Sequence, residues 1–220
     1  MTTSSTLTPD EAFSMLLAGN RRFVAGAPEH PNQDAARRAD LAPGQAPFAV
    51  LFGCSDSRLA AEIIFDRGLG DMFVVRTAGH VIGPEVLGSV EYGVAVLNCP
   101  LVVVLGHDSC GAVGAAREAV AEGTTADGYV RDVIEKVMPS VLAAKAAGHT
   151  EDRDFITEQI RHTVDLLLDR SRILSQAVQA GETAVVGLVY RLVDGSAELV
   201  TRNGVDAAGA VADAAAAASA

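Results

Sequence analysis

At 220 residues, 49% hydrophobic and 20% charged, the chain is long enough to bury a core and is composed like one globular domain, not a disordered segment. A formal net charge of -11 argues against nucleic acid as a partner and offers anionic lipid no basic surface. Three cysteines, Cys54, Cys99 and Cys110, are too sparse for a secreted disulfide framework.

Residues 1–8 lack the basic and apolar regions of a signal peptide and read as a flexible lead-in. With the cysteine usage, this points to a cytoplasmic, reducing location. Thr8, Pro9 and Glu11 sit at capping-box spacing and start a helix that Phe13, Leu16, Leu17 and Phe23 carry to about residue 24. It precedes the sheet, which suits an arm, including one that packs on another subunit. Residues 32–47 are a polar loop with a short helical signal at 35–41. The first strand, 48–53, follows Pro47 and is apolar on both faces, as a buried parallel strand is. A short helix at 60–65, a second strand at 72–76, a loop at 77–84 and a helix at 85–97 follow. The third strand, 99–105, is the most apolar. The longest apolar run, 94–105, is broken by Asn98 and Pro100 and is too short to cross a bilayer.

Residues 110–122 are helical, and 123–128 form a break. Helices are expected at 129–147, kinked or divided at Pro139, and at 151–180, with Ile156, Ile160, Val164 and Leu167 as the buried stripe. A fourth strand at 183–193, a hairpin signal at Asp194-Gly195 and an edge strand at 197–201 close the fold. An Ala-rich tail over 206–220 is expected to be disordered or weakly helical. The alternation predicts an α/β fold in one domain over 9–205. Its mainly parallel sheet has helices on both faces and an N-terminal helical arm. Ligands should bind beyond the carboxyl ends of the strands.

Two stretches carry chemistry. Cys54-Ser55-Asp56-Ser57-Arg58 follows the first strand, and Gly106-His107-Asp108-Ser109-Cys110-Gly111 follows the third. If those strands are neighbours, Cys54, His107 and Cys110 converge as three ligands suited to zinc. A fourth position is then left for water, which is the catalytic pattern. Taken singly, each has a plainer reading: the cysteines as small buried hydrophobes, His107 as a satisfied core histidine. Asp56 has three readings: a fourth ligand, a partner to the water, or a turn residue capping the helix at 60. Arg58 can hold Asp56 off the metal through a bidentate contact. Two thiolates donate more charge than imidazoles, so such a site favours activity at alkaline pH. Cys99 reads as a buried thiol. His80 reads as a loop histidine, solvated or near the crevice.

These paired motifs resemble the signature of the β-class carbonic anhydrases, bacterial type. The resemblance runs from about residue 8 to 201 and includes Ala61-Glu62, Phe73-Val74-Val75-Arg76-Thr77-Ala78-Gly79 and Gly88-Ser89-Val90-Glu91-Tyr92. It implies reversible hydration of carbon dioxide to bicarbonate by a carbonate dehydratase. One zinc per chain would sit on Cys54, His107 and Cys110, with Asp56 and Arg58 as the catalytic pair. It implies substrate contacts from Gln45, usually supplied by a neighbouring subunit, and from Gly111. It further implies four parallel strands plus an antiparallel edge strand, a homodimer or dimer of dimers, and an N-terminal helix that wraps the partner. Some bacterial members carry an inhibitory bicarbonate site, to which Arg76 and Tyr190 correspond. The tryptophan of that site is Leu51 here, and the chain has no tryptophan. The plainer readings are an ion pair of Arg76 with Asp71 or Glu91, and sheet packing of Tyr190. Three rival functions remain: a cysteine enzyme using Cys54 as nucleophile, a non-enzymatic zinc-stabilised binding or scaffold module, and a related zinc hydrolase acting on a sulfur analogue of carbon dioxide.

Overall fold

A computed structural model describes residues 7–206. Most of the lead-in expected at 1–8 and of the tail expected at 206–220 therefore lies outside the described residues. Helix α1, Pro9–Val24, opens with the capping box read from the sequence: Thr8 Oγ1 accepts from Glu11 N, and Glu11 Oε2 accepts from Thr8 N at 2.7 Å. Its apolar stripe is covered within the chain, where Ala12, Phe13 and Leu16 are fully buried. Buried Asn20 donates to the carbonyls of Ile64 and Gly195 and accepts from Ala197 N. These contacts fasten one face of α1 to its own chain.

Short helix α2 is Ala35–Asp40. Strand β1, Ala49–Cys54, leads through helix α3, Ala61–Ile64, to strand β2, Met72–Thr77. A 3-10 turn, Ala78–His80, then precedes helix α4, Pro84–Ala95, and strand β3, Leu101–His107. Helices α5 (Gly111–Glu122), α6 (Val130–Ala146), α7 (Asp152–Arg170) and α8 (Arg172–Gln179) lead to strands β4 (Ala184–Tyr190) and β5 (Ala197–Asn203). The sheet order is β2-β1-β3-β4-β5, parallel except for β5, which pairs antiparallel with β4. β1, β3 and β4 are buried along their whole length because helices cover both faces, whereas β2 and β5, at the edges, are largely half-buried.

Three expectations change in detail. The third strand runs on to His107, because backbone pairing with β4 continues past the apolar run as far as His107 opposite Tyr190. Pro139 does not divide α6; it lies on the exposed face, where water can satisfy the carbonyl that a proline leaves without an N–H. The expected long helix at 151–180 is two helices. Ser171 adopts an extended conformation (φ -102°, ψ 104°), caps α8 by accepting from Leu174 N, and donates to Glu91. Among the described residues, no helix is long and apolar enough to cross a membrane.

One buried charge fastens α1 to the core. The fully buried Asp66 carboxylate accepts from Arg22 Nε at 2.6 Å and from the backbone N–H groups of Glu29 and His30. Burial alone would raise its pKa. The N–H of Glu29, the Arg22 guanidinium and the N–H of His30 outweigh that and hold it below the usual carboxylate value. Asp66→Ala leaves these donors unpaired and is expected to cost about 3 kcal/mol in urea unfolding at pH 7. A depressed folded pKa stabilises above the unfolded value and is lost as pH falls through the folded one. The gap between wild type and variant should therefore narrow below about pH 4. An equal gap at pH 3 would deny Asp66 its charged role.

Candidate metal centre

The chain places β2 on one side of β1 and β3 on the other, so β1 and β3 flank the point where strand order reverses. Crevices at the carboxyl ends of parallel strands form there. Cys54 is the last residue of β1 and His107 the last of β3, one and two residues beyond the expected strand ends. Ser109, at φ 52°, turns the chain so that Cys110 comes back as the N-cap of α5. All three side chains are buried, and their ligand atoms lie within 4.8 Å of one another. A tetrahedral zinc site with Zn–S of about 2.3 Å sets its sulfurs about 3.8 Å apart, inside that span.

The hydrogen bonds choose the tautomer of His107. Nδ1 lies 2.8 Å from the Asp108 carbonyl, which can only accept, so Nδ1 carries the proton. Nε2 is left as a bare lone pair, buried and without a protein hydrogen-bond partner. A metal ion answers such an orphan. The sulfurs are tuned for the same purpose. Hydrogen bonding from Cys110 is the largest influence lowering Cys54, with His107 and the amides of Asp56 and Gly79 adding to it against burial. Cys110 is raised in turn, first by its bond to Cys54 and then by burial. The pair gives up one proton readily and holds the second, which a bound cation would displace. Burial opposes charge on His107, yet the neighbouring Cys54 sulfur, the Asp108 carbonyl and the Asp56 carboxylate raise its pKa above the ordinary value. The centre attracts positive charge, and the donor set fits zinc.

Asp56 is gripped by Arg58. Nε reaches Oδ1 at 2.9 Å, Nη2 reaches Oδ2 at 2.7 Å, and the Arg58 backbone N–H adds a third bond at 2.9 Å. That grip holds the Asp56 carboxyl far below the usual carboxylate range. Asp56 Oδ2 stands 3.9 Å from His107 Nε2, and both carboxylate oxygens are turned to Arg58. Arg76 pairs with neither Asp71 nor Glu91. Its Nε donates to the Cys54 carbonyl at 2.9 Å and its Nη2 to the Asp56 carbonyl at 2.6 Å. It thus clamps the backbone that carries a ligand and the pair together. Tyr190 is buried at the end of β4, opposite His107. Two strands separate β4 from β2, and Tyr190 lies two residues further along than the position level with Arg76, so the two stand about 16 Å apart at the backbone. Leu51 is packed into the core.

Gln45 is exposed and precedes β1, whose opposite end carries Cys54. The strand alone spans about 17 Å, so this chain does not bring its own Gln45 to its own centre. Gly111 is the first residue of α5, next to Cys110, with open space where a side chain would be. Asp108 and Ser109 do not cap α5; the Asp108 carboxylate accepts from Leu192 N and ties down the β4–β5 connection. Cys99 is the buried thiol expected, pushed up to about 12 by burial. His80 is not solvated. It is fully buried, held down at about 4 by burial, and packs edge-on to Phe52. Sequence reasoning also missed Gly79, whose N–H lies 3.4 Å from Cys54 Sγ.

The sequence profile of the family described as carbonic anhydrase matches residues 49–197, from β1 to the start of β5. The chain belongs to the β-carbonic anhydrase family. It is 57% identical over 191 residues to carbonic anhydrase 2 of Mycobacterium tuberculosis, covering 87% of this chain and 92% of that one. It is 54% identical to a carbonic anhydrase of Mycolicibacterium smegmatis, covering 87% and 93%. Among solved structures, a β-carbonic anhydrase of Sordaria macrospora, described as tetrameric, shares the fold with a TM-score of 0.65 and 23% identity over 74% of this chain and 84% of that one. The family match contains Cys54, Asp56, Arg58, His107 and Cys110, while Gln45 and α1 precede it.

Proposed function

We propose that this chain is a carbonate dehydratase that interconverts carbon dioxide and bicarbonate, with one zinc per chain held by Cys54, His107 and Cys110. The observation that carries the reading is the orphaned Nε2 of His107, buried within 4.8 Å of two sulfurs. When bound, zinc supplies the Lewis acidity that brings hydroxide chemistry down to near-neutral pH. The chain's own residues do the rest. Asp56, ionised throughout the working range, accepts a hydrogen bond from the attacking oxygen and sets the direction of its lone pair. Arg58 fixes both Asp56 oxygens and would keep the carboxylate from binding the metal itself. Carbon dioxide is neutral, so the net charge of -11 does not repel it.

Gln45 and Gly111 are assigned to bicarbonate. Because Gln45 sits at the far end of β1, it serves the centre of another copy, and a homodimer is the smallest unit with a complete site. A dimer of dimers extends the same arrangement. Residues 9–205 act as one catalytic domain, in a reducing, cytoplasmic setting that keeps two thiolate ligands available. Stopped-flow carbon dioxide hydration from pH 6.5 to 9, with metal analysis of the same sample, tests the reading. The expected result is about one zinc per chain and a rate that climbs towards alkaline pH. Activity without metal, which a chelator leaves untouched, would favour Cys54 as a nucleophile instead. Zinc without hydration would favour a zinc-stabilised binding module, with a sulfur analogue as the substrate still to assay.

A further inference from the structure

The turn between β2 and α4 touches the segments that carry all three candidate ligands. Gly79 N–H points at Cys54 Sγ. A side chain on Gly79 would stand 2.7 Å from the Cβ of Ala112, two residues beyond Cys110, so the close approach depends on glycine. Its φ of 63° is also a left-handed value that glycine takes without strain. The His80 ring lies over Gly106, the residue before His107; a Cβ there would be 3.3 Å from His80 Cε1. His80 itself is held at φ 43°, an uncommon value for a residue with a side chain. A strained conformation of this kind persists when its surroundings fix it.

What fixes it comes from α6 and α7. Gln159 Nε2 donates to the Gly79 carbonyl at 3.3 Å, and Gln159 Oε1 accepts from Ser140 Oγ at 2.6 Å. Thr163 Oγ1 lies 3.4 Å from Gln159 Nε2 and donates to the Gln159 carbonyl at 2.7 Å. All three side chains are buried among Val137, Val141, Ile156 and Ile160. Apolar residues would pack there without the penalty of burying polar groups. Among the described residues, the one hydrogen bond this network makes outside the two helices goes to the Gly79 peptide.

We infer that Gln159 is a positioning residue for the metal centre. By holding the Gly79 carbonyl it aims the Gly79 N–H at the Cys54 sulfur, and it steadies the turn that braces the His107 and Cys110 segments. The inference rests on the zinc reading above and adds a residue that touches none of the ligands. An N–H directed at a thiolate draws electron density from sulfur and fixes its orientation. Outer contacts of this kind shift metal affinity by about 10–100-fold.

The test uses the zinc enzyme and its cobalt-substituted form. Gln159→Met keeps the volume and removes the amide. It is expected to weaken zinc binding in chelator competition by about tenfold or more and to shift the sulfur-to-cobalt charge-transfer band. Ser140→Ala and Thr163→Val cut the network but leave the Gln159–Gly79 contact; both should lower the unfolding midpoint yet keep zinc affinity within about threefold of wild type. In wild type loaded with cadmium-113, the Gly79 amide proton should couple to the metal across the Cys54 sulfur, a readout that needs no variant to fold. Any of three results overturns the inference: a folded Gln159→Met with wild-type zinc affinity and band, equal zinc loss in the two control variants, or no coupling at Gly79. A wild type that binds no metal defeats the zinc reading itself and is told apart by that first measurement.

Discussion

Cys110→Ser is expected to strip the metal and abolish hydration. Zinc should fall from about one to below about a tenth of an equivalent per chain, and kcat/KM by more than about a thousandfold, beyond the loss typical of an outer contact. The physical reason is charge. A serine hydroxyl stays neutral near pH 7 and offers zinc far less charge than a thiolate. One thiolate and the bare Nε2 of His107 cannot hold zinc by themselves. The fold should survive. Cys110 lies outside the strand ladders, at a helix N-cap that makes no side-chain capping bond. Metal analysis and stopped-flow hydration measure the loss, and circular dichroism of both metal-free proteins should match. Full activity with retained zinc would remove Cys110 from the ligand set.

The sheet was legible because each buried strand is a continuous apolar run, and the ligands because each metal stretch follows such a run directly. Adjacency of β1 and β3 was not written locally; it follows from strand order, and it alone turns Cys54 and His107 into neighbours. Strand ends slipped by a residue or two because pairing is a property of two strands, not of one segment's hydropathy. His80 and Arg76 were read by local context, a loop histidine and a charged strand end. Burial under Phe52 and a reach to two carbonyls are long-range facts that no spacing in the sequence carries. Gln159 and Thr163 did leave a signal. They fall on the buried face of α7 with Ile156, Ile160 and Val164, and polar residues on an apolar stripe ask for a partner.

Asp56→Ala tests the other half of the centre, and here zinc should stay while hydration slows by about a hundredfold. The main-chain path should hold, because Arg76 grips the carbonyls of Cys54 and Asp56, not the Asp56 side chain. Arg58 loses its carboxylate but is half-exposed, so its charge stays solvated, and it keeps its contact with the Ser109 carbonyl. What disappears is an acceptor that is ionised at every working pH and stands 3.9 Å from His107 Nε2. The pH profile separates this from a loosened fold. Removing a fixed negative charge favours the deprotonated form of whatever ionises at the centre, so the alkaline rise should move to lower pH even as the plateau drops. Arg58→Ala removes a positive charge and should move the rise to higher pH. A lesion that only disturbs packing lowers the plateau in both variants and leaves the midpoint in place. Opposite shifts in the two profiles therefore identify Asp56 and Arg58 as a working pair, and unmoved midpoints with wild-type rates would remove the pair from the mechanism.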